Sequence, residues 1–350
     1  RLPENTVAVL FDASDNASFA MAFRAMENDL KTYRLAEPSG DFAEGSFLVA
    51  IDGGPEGKIM NGLLEDYTGL PMFLSTTEEF KMIRLEMPRI ALMESWFHDK
   101  DAGWTRFVFD SYGINYRVLH PGDIEKTGLE KDFDVLVFPN EDKDVLLKGK
   151  YKSGEGVYSP TTYPPEYTKG IGEKGMKKIM SFVDQGGKVV SWGESTTLFI
   201  GPLKTSGEED EAEEFVLPIR DQAKSLRSKG LYCPGSLVEI RLKAGHPLTL
   251  GMPEKTGMFF RGEPVFATRE PHFDMDRRVI GTFPEKDILL SGYIEKEELL
   301  ARKTALAWIR KGEGQLVLFA FNPQFRASMP ATYKLLFNAL LMPEPEKMIK

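Results

Sequence analysis

From Arg89 onward the chain alternates short, unbroken apolar runs with amphipathic stretches, and this alternation restricts the fold more than any other feature. The segments "RIALMES", "NYRVLH", "FDVLVFP" and "KVVSWG" read as strands. They are apolar enough to be buried on both faces. Between them, "DAGWTRFVFDSYG" sets Trp104, Phe107, Val108 and Tyr112 on one helical stripe, and "GEKGMKKIMSFVDQGG" is a second helix. Parallel strands need long crossovers, and a helix is the usual one. The pattern therefore predicts an α/β fold with a parallel sheet flanked by helices, completed near the C-terminus by the strand "GQLVLFAF" (314–321) and the helix "ATYKLLFNALL" (331–341).

The first 87 residues form a unit of their own in this reading. "TVAVLFDA" is a strand, Ser14-Asp15-Asn16 supplies N-cap residues, and "ASFAMAFRAMENDL" is a helix with Phe19, Phe23, Met26 and Leu30 on one face. Two more strands, "KTYRLA" and "GSFLVAI", precede a second helix, "KIMNGLLEDYTG", and a short strand, "PMFLSTTE". A chain of 350 residues is long for a single core. The expected organisation is a small α/β unit over 1–87 and a larger α/β domain over 88–350. Two insertions interrupt the larger domain, a Gly-, Pro- and Tyr-rich stretch at 143–172 and a β-rich stretch at 203–300. The acidic run "GEEDEAEE" in the second reads as a solvated loop.

Composition narrows the functional classes. A formal net charge of −9 with no basic stripe disfavours nucleic acid as a partner. The single cysteine, Cys233, excludes an internal disulfide and any multi-cysteine metal site. No apolar run reaches the roughly 18 residues of a membrane span. The chain opens on Arg1 rather than Met, which suggests a trimmed terminus and makes the lack of an export signal uninformative.

The junction "GGKVVSWGESTTLFIG" raises the question of chemistry. It reads as a buried strand running into a helix, the layout of a nucleophile elbow, where one side chain is exposed and nearby amides face a developing oxyanion. Gly193 occupies the bend and Glu194 follows it. Glycine has no nucleophile and glutamate is a poor one for acyl transfer. Ser195 is a weak catalytic candidate whose commoner role is a helix cap. Cys233, in "GLYCPGSLVEI", sits on a turn with nothing adjacent to lower its pKa, so a buried structural thiol is expected.

Other constellations are weaker still. "HDKD" and "HPGD" place His98 and His120 three residues before an aspartate, but no third ligand is evident, and His246 and His272 stand in other contexts. No metal and no cofactor are expected. Glu94 ends the first strand of the larger domain and Glu194 follows a later one. If those strands are neighbours the two can form an acid–base pair at the carboxyl edge, where doubly wound sheets bind ligands. The insertion "KYKSGEGVYSPTTYPPEYTKG" carries Tyr151, Tyr158, Tyr163 and Tyr167, which either contact a sugar or peptide or pack the loop onto the sheet.

The blocks "RIALMESWFHDKDAGWTRFVFDSYGINYRVLHPGDIEKTGLEKDFDVLVFPN", "PPEYTKGIGEKGMKKIMSFVDQGGKVVSW", "CPGSLVEI", "HPLTLGMP" and "GQLVLFAFNPQFRASMPATYKLLFNALL" together resemble one known domain. It is the class I glutamine amidotransferase-like domain of bacterial zinc carboxypeptidase-like proteins, and the likeness covers most of the chain from Arg89. The first unit, with "DFAEGSFLVA", is similar to the segment that precedes that domain. The resemblance implies a flavodoxin-like sheet, export to the periplasm or the exterior, and a peptidase domain as a partner in the parent protein. It carries no activity over. The amidotransferase cysteine is replaced by Gly193-Glu194, and the zinc motif of the peptidases has no match. The expectation is a non-catalytic module binding a peptide or carbohydrate near Glu94, Trp96, Gly193, Glu194, Tyr158, Tyr163 and Tyr167. The alternatives are a hydrolase acting on an ester, amide or glycosidic bond through Ser195 or a Glu94/Glu194 pair, and a purely structural or oligomerising role.

Overall fold

The structure is a computed structural model that describes residues 1–97, 99–153, 156–158, 164–205 and 213–345. His98, Tyr163 and most of the acidic run lie outside the described residues, as do the side chains of Tyr151 and Tyr158.

The first unit is built from β1 (Ala8–Phe11), α1 (Asn16–Glu27), β2 (Thr32–Leu35), β3 (Phe47–Ala50), α2 (Gly54–Glu65), β4 (Met72–Leu74) and β5 (Met82–Leu85). Its strands form an antiparallel sheet in the order β4-β1-β3-β2-β5. Alternation along β1 and β3 divides their side chains between two faces. Val9, Phe11, Phe47 and Val49 join the main core, whereas Ala8, Leu10 and Leu48 pack with Leu35 and Leu74 beneath Phe42 and Phe80. Both faces are covered, which explains why "AVLF" is apolar throughout. Asp15 caps α1 by accepting from the Ala17 amide at 2.9 Å.

The second unit begins with β6 (Ile90–Met93), α3 (Lys100–Tyr112), β7 (Arg117–Leu119), α4 (Leu129–Asp132), β8 (Val135–Phe138) and α5 (Lys143–Lys148). A hairpin of β9 (Tyr151–Ser153) and β10 (Gly156–Tyr158) leads to α6 (Gly172–Asp184) and β11 (Lys188–Trp192). The long second insertion contributes β12 (Pro202–Lys204), β13 (Glu214–Val216), β14 (Ile219–Asp221), α7 (Ala223–Ser228), β15 (Ser236–Leu242), β16 (Lys255–Phe260), β17 (Phe266–Thr268), β18 (Met275–Thr282) and β19 (Leu289–Ser291). The chain closes with β20 (Thr304–Lys311), β21 (Gly314–Phe319) and α8 (Pro330–Leu340).

Five strands pair in parallel in the order β7-β6-β8-β11-β21. Counted along the chain this is 2-1-3-4-5, the flavodoxin-like arrangement. The inner strands β6, β8, β11 and β21 are buried along their whole length. Beyond β21 the sheet turns antiparallel through β20, β18, β15 and β16. The β-rich insertion thus extends the main sheet instead of forming a separate body. β18 and β20 were not anticipated from the sequence, although each is eight residues long.

Helix α1 lies against α3 and α8 of the second unit, so one core of buried side chains runs through both units. A polar joint crosses it. Arg34 on β2 is buried over the rings of Phe47 and Phe19, at 4.8 and 5.5 Å, and donates to Asn338 Oδ1 on α8 at 2.6 Å. Burial lowers its pKa to about 9. Asn338 in turn donates to the carbonyls of Leu248 and Leu250, at 3.1 and 2.9 Å.

Candidate functional site

The carboxyl ends of β6, β8, β11 and β21 open into a cleft of about 1000 Å³. The turn at Cys233-Pro234 and the segment from Phe259 to Glu263 form its opposite wall. In an open sheet this is where ligands bind, next to the point at which strand order reverses, here between β6 and β8.

The bend after β11 keeps the backbone of an elbow and fills it differently. Gly193 has φ +61°, a left-handed conformation that costs any residue with a Cβ. A Cβ placed there would lie 2.0 Å from Asn140 Oδ1. That oxygen accepts the Glu194 amide at 2.8 Å. The amide just past the bend, which in an elbow faces the substrate oxyanion, is thus bonded by the protein's own side chain. The expected α-helix behind the bend is a 3-10 turn over Gly193–Phe199, so the stacked peptide dipoles of a long helix are absent there.

Ser195 is fully buried, accepts the Glu141 amide at 2.9 Å and donates to the Pro139 carbonyl. It fastens the loop after β8 to the bend and does not cap its own helix, which corrects the capping role expected for it. The Glu94/Glu194 pair required neighbouring strands, but β8 separates β6 from β11. Glu94 instead pairs with Arg106 at 3.2 Å and does not line the cleft. Glu194 stands exposed at the cleft mouth, its pKa raised by partial desolvation and then by Glu263 and Asp142, against the pull of Arg227 and Arg261. Trp96 stacks on His120 and on Tyr167, with ring centroids at 3.8 and 4.3 Å. Tyr167 therefore packs its loop onto the sheet edge, away from the cleft. Cys233 does reach the cleft; its thiol donates to the Phe260 carbonyl at 3.4 Å, and burial raises its pKa.

Asp101, which sequence reasoning considered only as a partner for His98, is the hub of the site. Its carboxylate accepts from Trp192 Nε1 at 2.6 Å, the Asn140 amide at 2.8 Å, Gln324 Nε2 at 2.9 Å and Asn322 Nδ2. The start of α3 is thereby tied to the ends of β8, β11 and β21. Burial raises its pKa while the four donors lower it. All four partners donate, so the ionised form suits them.

Asp99 and Glu141 make up the carboxyl pair that the fold actually assembles. Asp99 caps α3 through the Ala102 amide at 2.9 Å and also accepts the Ser95 amide at 3.0 Å. Glu141 accepts the Ser95 hydroxyl at 3.1 Å and the Asp142 amide at 2.8 Å. Burial, then the charge of Glu141, lifts the Asp99 pKa to about 7, and burial raises that of Glu141. The sequence held a faint signal for these groups. Every parallel strand except the edge strand β7 ends in a polar cluster, "ES", "PNED", "GES" or "NPQ", but which members face one another depends on strand order.

Among the described residues no three His, Cys, Asp or Glu side chains form a group able to hold a metal. His246 is buried and neutral, its Nδ1 accepting the Leu248 amide at 3.2 Å and its pKa lowered to about 4 by burial. No helix among the described residues is long and apolar enough to cross a membrane.

No family model matches the chain. No curated protein matches it either. Solved structures similar to it include a ThuA-like protein from Bacteroides uniformis, with TM-score 0.39 and 10% identity over 75% of this chain and 96% of that one. A glutamine amidotransferase from Thermotoga maritima has TM-score 0.37 and 9% identity over 76% of this chain and 99% of that one. A β-galactosidase from Bacillus circulans sp. alkalophilus has TM-score 0.36 and 13% identity over 82% of this chain and 35% of its own length. At these values no role is read across from them. The α/β, flavodoxin-like assignment stands on the strand order described above.

Proposed function

We propose that this chain is a ligand-binding module without hydrolytic chemistry, an accessory unit related to exported zinc carboxypeptidase-like proteins. The observation that carries this reading is the bend at Gly193. It keeps the left-handed backbone of an elbow, has no side chain to attack a carbonyl, and gives its following amide to Asn140. The preserved cleft supports binding, with a peptide or carbohydrate as the ligand class. A panel of fluorogenic esters, amides and glycosides should give no turnover, while ligand screens should give saturable binding that Glu194→Ala weakens. Turnover above a heat-treated control would overturn the non-catalytic half. Reading the complete gene for a signal peptide and a His-x-x-Glu motif upstream tests the export and parentage half.

One observation favours a second reading. Asp99 and Glu141 sit in the same cleft with raised pKa values, the condition under which one carboxyl donates a proton near neutral pH. A hydrolase would then use this pair, in place of Ser195 or the Glu94/Glu194 pair. Glycoside turnover abolished by both Asp99→Asn and Glu141→Gln, with folding intact, would establish it.

A further inference from the structure

Two arginines face the cleft without an ion pair among the described residues. Arg261 lies just past the end of β16, and Arg326 lies in the turn after β21. Arg326 has φ +51° and Ala327 φ +53°, a left-handed pair that non-glycine residues rarely adopt. The turn is held in this conformation by Gln324, which accepts the Ala327 amide at 3.2 Å while donating to the Asp101 hub. Beneath the guanidinium of Arg326, at 5.3 Å, is the ring of Phe325, which stacks on Phe259 with centroids 3.6 Å apart. Trp104, 40% exposed, adds a further aromatic surface to the cleft.

Resting on the ligand-binding reading above, we infer that the cleft takes a sugar acid, a uronate or short oligouronate. Its carboxylate would meet Arg261 and Arg326, its ring would lie along the aromatic ledge, and its hydroxyls would face Asp99, Asn140 and Glu141. Arginine presents a planar fork of donors that fits a carboxylate in two-point contact, and the Gln324-held turn sets the backbone from which the Arg326 fork projects over Phe325. The opposite side of the cleft is rich in acceptors, which call for several O–H donors on one rigid ring. A peptide offers about one N–H per residue and matches this poorly. Asp99, its pKa lifted to about 7, can also donate to a hydroxyl oxygen when protonated, so it does not simply repel an anion. At about 1000 Å³ the cleft is at the upper end of the ~300–1,000 Å³ typical of small-ligand sites, which leaves room for more than one ring.

The test is titration of the full chain with D-glucuronate, D-galacturonate and their short oligomers, followed by calorimetry and by the part of the tryptophan fluorescence change that Trp104→Phe removes. Glucose, galactose and a tripeptide serve as comparison arms. The expected result is saturable uronate binding that weakens at least tenfold in Arg261→Gln and in Arg326→Asn, the asparagine being chosen because it tolerates the left-handed backbone. Unchanged thermal melts in both variants would exclude misfolding as the cause. Equal binding of neutral sugars, or uronate binding indifferent to both substitutions, would overturn the sugar-acid inference and leave the module reading standing. Tripeptide binding in place of uronates would do the same. Binding of none of the probes would overturn the inference as well, and if the wider screens also fail, the binding-module reading falls separately.

Discussion

At residue 193 two constraints coincide, a positive φ and an oxygen 2.0 Å from where a Cβ would be. Gly193→Ala should therefore destabilise by about 2 kcal/mol or more, the left-handed strain plus the displacement of Asn140. Urea unfolding of Gly193→Ala, Asn140→Gly and the double variant checks this; the double variant should recover part of the loss, since one clash is then gone. Asp101→Ala leaves four donors without their acceptor, two of them on the buried Trp192 and Gln324, and should cost about 3 kcal/mol. It should also loosen the Gln324 turn, visible as faster amide exchange at Ala327. Asp99 carries a pH dependence. Its folded pKa of about 7 is above the ordinary carboxylate value, so the folded state holds the proton more tightly than the unfolded chain. That contribution favours folding at low pH and is lost as pH rises from about 4 to about 7. Asp99→Asn keeps an oxygen for the Ala102 amide and should flatten this part of the melting-temperature profile. A profile with the wild-type slope would show that Asp99 is not the group responsible.

Among the elements, α8 bears the joint between the units. Its Asn338 is fully buried and bonds Arg34 on one side and the turn at Leu248–Leu250 on the other. Asn338→Ala strands a buried guanidinium and two carbonyls and should cost about 2–3 kcal/mol in equilibrium unfolding. Asn338→Asp should cost less, because a carboxylate can still accept from Arg34. The β20–β21 hairpin shows how an element escapes notice. Its two-residue loop, Gly312-Glu313, has Gly312 at φ +58° and joins the pair Lys311 and Gly314. Glycine at the first loop position is a known hairpin signal. "TALAWIRK" is nevertheless buried on both faces, with no alternation to mark it as a strand.

For the whole molecule, the consequential fact is the shared core. Phe19 and Phe23 of α1 pack against Phe337 of α8, with centroids at 5.7 and 5.9 Å. Residues 88–350 alone would present that surface to water, along with Asn338 lacking its arginine. Such a fragment should be poorly soluble or bind a hydrophobic dye strongly, whereas the full chain should unfold in one cooperative step. Independent, reversible melting of the fragment at the full-chain temperature would refute this. The units distinguished by their sequence patterns are thus coupled energetically, and a substitution at the joint should be felt in the cleft through α8 and the turn that precedes it.

Local pattern alone was sufficient for the parallel α/β sheet, the bend at Gly193 and the lack of a nucleophile on it, because burial on both faces and residue identity at a turn are local properties. The Asp101 hub, the Asp99–Glu141 pair and the arrival of Cys233 and Arg261 opposite Gly193 were decided only in three dimensions. These groups come from strands and loops up to some two hundred residues apart in the chain. The order in which strands lie side by side, which local periodicity does not encode, determines which of their ends share a cleft.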